Sequence, residues 1–168
     1  MNLFFLIPLW FFLVWLGVFF IKKTQKPLVF KLDRTIFLGI LAGILLGLVS
    51  LLLFQFFADF REELFTLLVP AGRKPSFAWL LIVNPLATAI VQEIWFRGFF
   101  QQHLGIFWTS LFFGLLHFFP FVGFLFPVLA FLGGLLLGYL FLRTKNLLVP
   151  ILAHAIIIFF FSLGVYLV

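Results

Sequence analysis

Residues 36–57 read IFLGILAGILLGLVSLLLFQFF and carry no charge from end to end. An apolar run near 20 residues is the length that crosses about 30 Å of hydrocarbon as a helix. Working outward, comparable runs lie at Leu3–Ile21, Phe77–Phe100, Trp108–Phe119, Val122–Leu142 and Leu147–Val168. Short polar breaks separate them: Lys22–Arg34, Asp59–Glu63 with Arg73–Lys74, Gln101–Gly105, the Pro120 region and Arg143–Asn146. The pattern predicts an all-α polytopic transmembrane bundle of about six spans, with a short fourth. The whole chain, 1–168, reads as one membrane domain.

Composition leads to the same class. The 168 residues are 65% hydrophobic and 10% charged, whereas a soluble domain carries roughly 25% charged residues. Lipid is therefore the expected solvent and bilayer the first partner. The net charge of +6 does not point to nucleic acid, because the basic residues flank apolar runs and form no long polar basic stretch. The chain has no cysteine, which excludes disulfides, thiolate nucleophiles and cysteine-based metal centres. The first run has its lysines (Lys22, Lys23, Lys26) after it and no small-residue cleavage site, so it is expected to be a retained span, not a signal peptide.

Lys and Arg in short loops stay on the cytoplasmic side. Lys22, Lys23, Lys26, Lys31 and Arg34 put the first loop there, and alternation through six spans puts Arg143 and Lys145 there too. Both termini are then expected outside the cytoplasm, with the Asp59–Lys74 loop and Pro120. Gly39, Gly43 and Gly47, and Gly134 with Gly138, recur every four residues and are expected to let helices pack closely. The thirty Phe residues are read as packing and lipid-facing surface. Pro85 either kinks the third span or opens a shorter helix beginning there.

A charge at the centre of a span costs about 2.5–3.5 kcal/mol on insertion scales, so ionisable residues there need partners or a purpose. The candidates are Glu93 and Arg97 in the third span, His117 in the fourth and His154 in the sixth. Glu93 and Arg97 are one helical turn apart and are expected to pair. Each His alone has a plain explanation as a hydrogen-bonded neutral ring. A carboxylate, a guanidinium and two imidazoles on three spans are harder to explain separately. Aspartyl chemistry is excluded because Asp33 and Asp59 lie in loops; a His-Glu-x-x-His zinc motif and a Gly-x-Ser-Gly motif are absent. Glutamate and histidine chemistry remains: a carboxylate or imidazole activating water, another imidazole stabilising an oxyanion. A Glu and two His could also ligate a divalent metal, but their spacing does not favour it, so no cofactor is expected.

Three blocks then resemble a known family. They are Gln92-Glu93-Ile94-Trp95-Phe96-Arg97-Gly98, Phe113 to His117, and His154 to Ile158. They are similar to the Glu-Glu-x-x-x-Arg, Phe-x-x-x-His and His-x-x-x-Asn/Asp blocks of the CAAX prenyl protease and bacteriocin-processing intramembrane proteases (type II CAAX endopeptidases). The resemblance covers 77–168, leaving 1–76 as two additional N-terminal spans. It implies a glutamate-type endopeptidase of the bacterial inner membrane, cleaving a membrane-tethered protein or peptide, often near its C-terminus. By position, residue 92 and His117 would activate water, while His154 and residue 158 would hold the oxyanion. This chain departs at two of the four, with Gln92 and Ile158. The expected roles are accordingly Glu93 as general base assisted by His117, His154 as oxyanion donor, Arg97 as orienting partner, and Gln92 positioning water or substrate. Two other readings stay open: a catalytically silent relative that binds or shields membrane peptides, and a small proton-coupled transporter.

Overall fold

The computed structural model describes residues 6–23, 29–56, 61–62, 76–118 and 123–167. Nearly all of these are helical, and no strand occurs among the described residues. The helices are α1 (Leu6–Lys23), α2 (Ile36–Phe56), α3 (Trp79–Leu116), α4 (Leu125–Thr144) and α5 (Leu148–Tyr166). Helices α2 to α5 are long and apolar enough to cross a membrane. The protein is an all-α integral membrane bundle.

The expectation of six separate spans is corrected at α3. The predicted third and fourth spans form one helical run that doubles back at Gly105, whose backbone sits at φ 77 and ψ 174. A residue with a Cβ avoids that conformation. A Cβ built on Gly105 would meet nothing within 4 Å, so backbone freedom and not crowding is what the turn requires of it. Ring contacts prove the reversal, since Phe96 meets Phe113 at 4.8 Å and Phe100 meets Phe112 at 5.5 Å. The return arm, residues 106–116, is about 16 Å long at 1.5 Å per residue and covers about half of the hydrocarbon thickness. The predicted Trp108–Phe119 span is this half-length arm. The Pro120 break and most of the Asp59–Lys74 loop lie outside the described residues.

Two wide π-turns interrupt the long arm of α3, at Trp79–Val83 and Ile94–Phe100. The first precedes Pro85, which stands in the opening turn of the regular segment Asn84–Glu93. Proline has no N–H and its ring crowds the carbonyl four residues back, so a widened turn ahead of it removes the clash. Pro85 therefore opens a shorter regular helix within the span, the second of the two options for it.

Close approach, not hydrophobic attraction, joins the rods. α2 lies along α5, the return arm of α3 lies along α4, and the long arm packs against α5. A Cβ at Gly39 would strike the Val149 carbonyl oxygen, one at Gly43 would come within 2.9 Å of the Ala153 carbonyl, and one at Gly47 would overlap the Phe160 ring. On α4, a Cβ at Gly134 would reach Ser110 at 3.2 Å and one at Gly138 would reach Gln101 Oε1 at 2.8 Å. Small residues at this spacing let backbones touch where lipid offers no contrast with side chains.

Asn146, fully buried, ties one end of the bundle together. Its Nδ2 donates to the Lys31 carbonyl (2.7 Å) and to Thr35 Oγ1 (3.2 Å), and its Oδ1 accepts from the Lys31 N–H (3.1 Å) and the Leu148 N–H (3.2 Å). The segments bearing Lys31 with Arg34 and Arg143 with Lys145 are thus neighbours, so both basic loops share one face. Beside them, Asp33 accepts from the Thr35 hydroxyl and N–H ahead of α2, and those bonds hold its carboxyl below the usual range. At the opposite end Tyr166 meets Phe77 edge to face at 5.3 Å.

Replacing Gly39 with Ala is expected to destabilise the bundle by about 1–3 kcal/mol through overpacking against a backbone oxygen. Gly133→Ala, where a Cβ meets nothing within 4 Å, is expected to change little. Thermal unfolding of both variants in detergent micelles checks the difference.

Candidate active site

Polar side chains from three rods converge where the long arm of α3 meets α5 and the tip of its own return arm. Glu93 ends the regular segment of the long arm, and Arg97 sits in the π-turn that follows. Both are 0% exposed. Arg97 Nε lies 3.0 Å from Glu93 Oε2. The N–H does not point along that line, so the contact is an ion pair and not an aligned hydrogen bond. The other carboxylate oxygen, Oε1, is 2.7 Å from His154 Nδ1 on α5. Coulombic attraction between these groups is strong because water is excluded.

His117 caps the return arm, and its Nδ1 lies 2.7 Å from the Phe113 carbonyl oxygen. A carbonyl only accepts, so Nδ1 is the donor, and in the neutral ring Nε2 keeps the lone pair. At His154 the Nδ1–H likewise points at an acceptor, but that acceptor is a carboxylate. The two rings therefore differ in kind: one is fixed by a neutral oxygen, the other by a charge. The Phe113 ring contacts both, at 4.5 Å from His117 and 5.8 Å from His154, with the Arg97 guanidinium 5.6 Å from its centre.

A cavity of about 590 Å³ opens on this cluster. Gln92, His117 and His154 line it, together with Phe113, Ile158 and apolar side chains of α2 and α4. Glu93 and Arg97 do not line it; they stand behind His154. Of the five residues expected at the site, three face the cavity and two form the charged support for one of those three. The expectation that Glu93 activates water meets a carboxylate whose two oxygens are both engaged and which is walled off from the cavity. No hydrogen bond joins His117 to Glu93 or His154 among the described residues, and no group of three His, Asp or Glu able to hold a metal ion occurs among them.

The depth of His117 follows from the short return arm. A full-length fourth span would carry the residue to the far surface, whereas an arm of half that length stops at the level of the cavity. Two polar lining residues of the long arm, Asn84 and Thr88, were not singled out from the sequence. Asn84 and Thr88 precede Gln92 by eight and four residues in an apolar run, and this helical periodicity is the signal that marks them.

Charge reversal of the support is not needed to test it. Truncating one member of a buried pair costs about 3–5 kcal/mol, while removing both with apolar residues of like volume costs little. Arg97→Met is expected to lower stability strongly, and Glu93→Leu with Arg97→Met to restore most of the loss, read by unfolding in micelles as a double-mutant cycle.

Residues 74–160 match the family described as type II CAAX prenyl endopeptidase, Rce1-like. The chain is also 38% identical over 77 residues to the uncharacterized protein YpbD of Bacillus subtilis (strain 168), an alignment covering 46% of this chain and 41% of that one. It thus spans about two-fifths of the length of that relative. No solved structure matches. The matched segment contains Gln92, Glu93, Arg97, His117 and His154, and the chain belongs to the type II CAAX prenyl endopeptidase, Rce1-like family.

Proposed function

We propose that the protein is an intramembrane endopeptidase that hydrolyses a peptide bond of a membrane-tethered protein or peptide, near a C-terminus, inside the cavity. What carries this reading is that two imidazoles face one cavity with different Nδ1 partners. His117, with Nδ1–H held by a carbonyl, has Nε2 free to take a proton from water. The resulting hydroxide attacks the scissile carbonyl. In its doubly protonated form His154 keeps Nδ1–H on the Glu93 carboxylate and donates Nε2–H to the oxyanion. A buried carboxylate behind an imidazole supports the charged ring in this way in other hydrolases. His117 then returns its proton to the leaving amine, so protons balance across the cycle.

Gln92 orients the water, and Arg97 pairs with Glu93 behind His154. In this assignment Glu93 is a positioning residue and His117 the base. No metal is assigned a role. The face bearing Lys31, Arg34, Arg143 and Lys145 is proposed to be cytoplasmic, which puts both chain ends on the other side of a bacterial inner membrane.

A second reading has a specific observation in its favour. Gln92 and Ile158, the two positions where this chain departs from the family pattern, both line the cavity. A relative that binds membrane peptides without cutting them would have such a lining.

Purified protein in liposomes, given a fluorogenic peptide ending in a prenylated Cys and three further residues, separates the two. A hydrolase is expected to lose about 100- to 10,000-fold in turnover with His117→Ala and about 100- to 1000-fold with His154→Ala, both variants remaining folded. Gln92→Glu is expected to raise turnover by supplying a second base. Absence of cleavage by the wild type and by Gln92→Glu would remove the hydrolase reading and leave the binding one.

A further inference from the structure

Along the cavity wall on α3, Asn84, Thr88 and Gln92 follow one another at intervals of four residues. All three belong to the regular α-helical segment Asn84–Glu93, so each step rises about 6 Å. They are the only uncharged hydrogen-bonding side chains the long arm gives to the cavity among the described residues, and α2 adds the apolar Leu46, Val49 and Leu53 to the lining. Ser50 also lines the cavity, but its hydroxyl donates to the Leu46 carbonyl at 2.8 Å.

The capacity of the row is largely unspent. Thr88 Oγ1 donates to Asn84 Oδ1 over a long 3.3 Å, and Gln92 Oε1 is buried with no partner among the described residues. A buried amide oxygen left unpaired costs about 1–3 kcal/mol, and a turn of the Gln92 side chain toward the cavity would let a ligand donor meet it.

A peptide bond inside a helix is shielded, so a substrate segment must be extended to be cut. Extension in a membrane strands its N–H and C=O groups, each costing several kcal/mol unless the protein supplies partners. An extended chain rises about 3.3–3.4 Å per residue, and groups on one edge recur every second residue, about 6.7 Å apart. The mismatch with a 6 Å helical step is under about 1 Å per rung, within the reach of flexible amide side chains.

We propose that Asn84, Thr88 and Gln92 form a hydrogen-bonding ladder that receives one main-chain edge of an extended substrate strand. The inference rests on the reading of the cavity as a peptide site. Its lowest rung, Gln92, neighbours the histidines, so the scissile bond lies there. The held residues run from it toward the N-terminal end of α3, away from the basic face. Side chains of the strand alternate between the apolar walls, which sets a preference for apolar residues and leaves the main chain as the common feature recognised.

The test uses full-length protein in liposomes and the fluorescent prenylated peptide, with binding read by polarisation and cleavage read separately. Near-isosteric Asn84→Leu and Thr88→Val are each expected to weaken binding about 3- to 10-fold, the equivalent of one hydrogen bond, with KM raised and kcat little changed. Peptides N-methylated at single positions lose one main-chain donor each. The position opposite a rung is expected to become insensitive to loss of that rung, and alternate positions to respond while those between do not.

Unchanged affinity in both variants, with His117→Ala still abolishing cleavage, would overturn the ladder and leave the hydrolase intact. Lowered kcat with unaltered KM and no response to N-methylation would also overturn it, assigning the row to water. Rung-dependent binding without cleavage would support the ladder and remove the hydrolase.

Discussion

A carboxylate with no solvent exposure, held between a guanidinium and an imidazole, is the constraint on which the rest of this bundle depends. In lipid an isolated Glu93 would be intolerable, and one partner on its own helix would neutralise it without organising anything else. The second partner, His154, is on another rod, 61 residues away in sequence. The charge therefore holds the long arm of α3 and α5 at one register, and that register is what turns His154 toward the cavity. Helix packing supplies proximity through Gly39, Gly43 and Gly47, but contacts of that kind are forgiving along the axis. The ion cluster is not forgiving, because a slip by one turn leaves a buried charge unpaired at a cost of several kcal/mol.

The return arm solves a second geometric problem. A helix end has backbone carbonyls without intrahelical partners, and these can position a side chain. His117 occupies such an end, and its Nδ1 is fixed by the Phe113 carbonyl one turn back. The arm can stop there because Gly105 permits a reversal without a loop and because α4 covers it, with the Gly134 and Gly138 contacts bringing the two within touch. Phe113, at 3% exposure, contacts both imidazoles.

These features were unequally visible in the sequence. Charge scarcity made Glu93, Arg97, His117 and His154 conspicuous, since any ionisable residue in an apolar run is costly, and the class of fold followed from run lengths alone. The pairing of Glu93 with Arg97 followed from their spacing. What could not be read was which oxygen meets which ring. Helical periodicity puts Gln92 and Glu93 about 100° apart without saying which faces the cavity, and that choice depends on the π-turn at Ile94–Phe100 and on the position of α5. The count of spans failed at Gly105 for a related reason: hydropathy registers an interruption between two apolar segments but not whether the second continues across or turns back halfway. Asn84 and Thr88 were passed over because neutral polar residues are tolerated in spans and their shared face becomes meaningful only once a cavity lies along it.

The neutral residue at position 92 has an electrostatic consequence for the whole site. With Gln92, the fixed charges of the cluster are Glu93 and Arg97, which balance, so the resting cavity carries no net charge beyond whatever the two rings hold. A carboxylate there would add an unpaired negative charge to an apolar cavity, stabilised only by protonating His117 or by drawing in water. Insertion scales put such a charge at about 2.5–3.5 kcal/mol at a span centre. This chain avoids that cost, and in return it has only imidazole to accept a proton from water. The same substitution leaves Gln92 with an amide that can donate and accept at once, which a carboxylate cannot do. In the site as proposed, weaker general-base chemistry and better main-chain recognition are two results of one neutral side chain, and the balance between them sets whether such a cavity cuts peptides or cradles them.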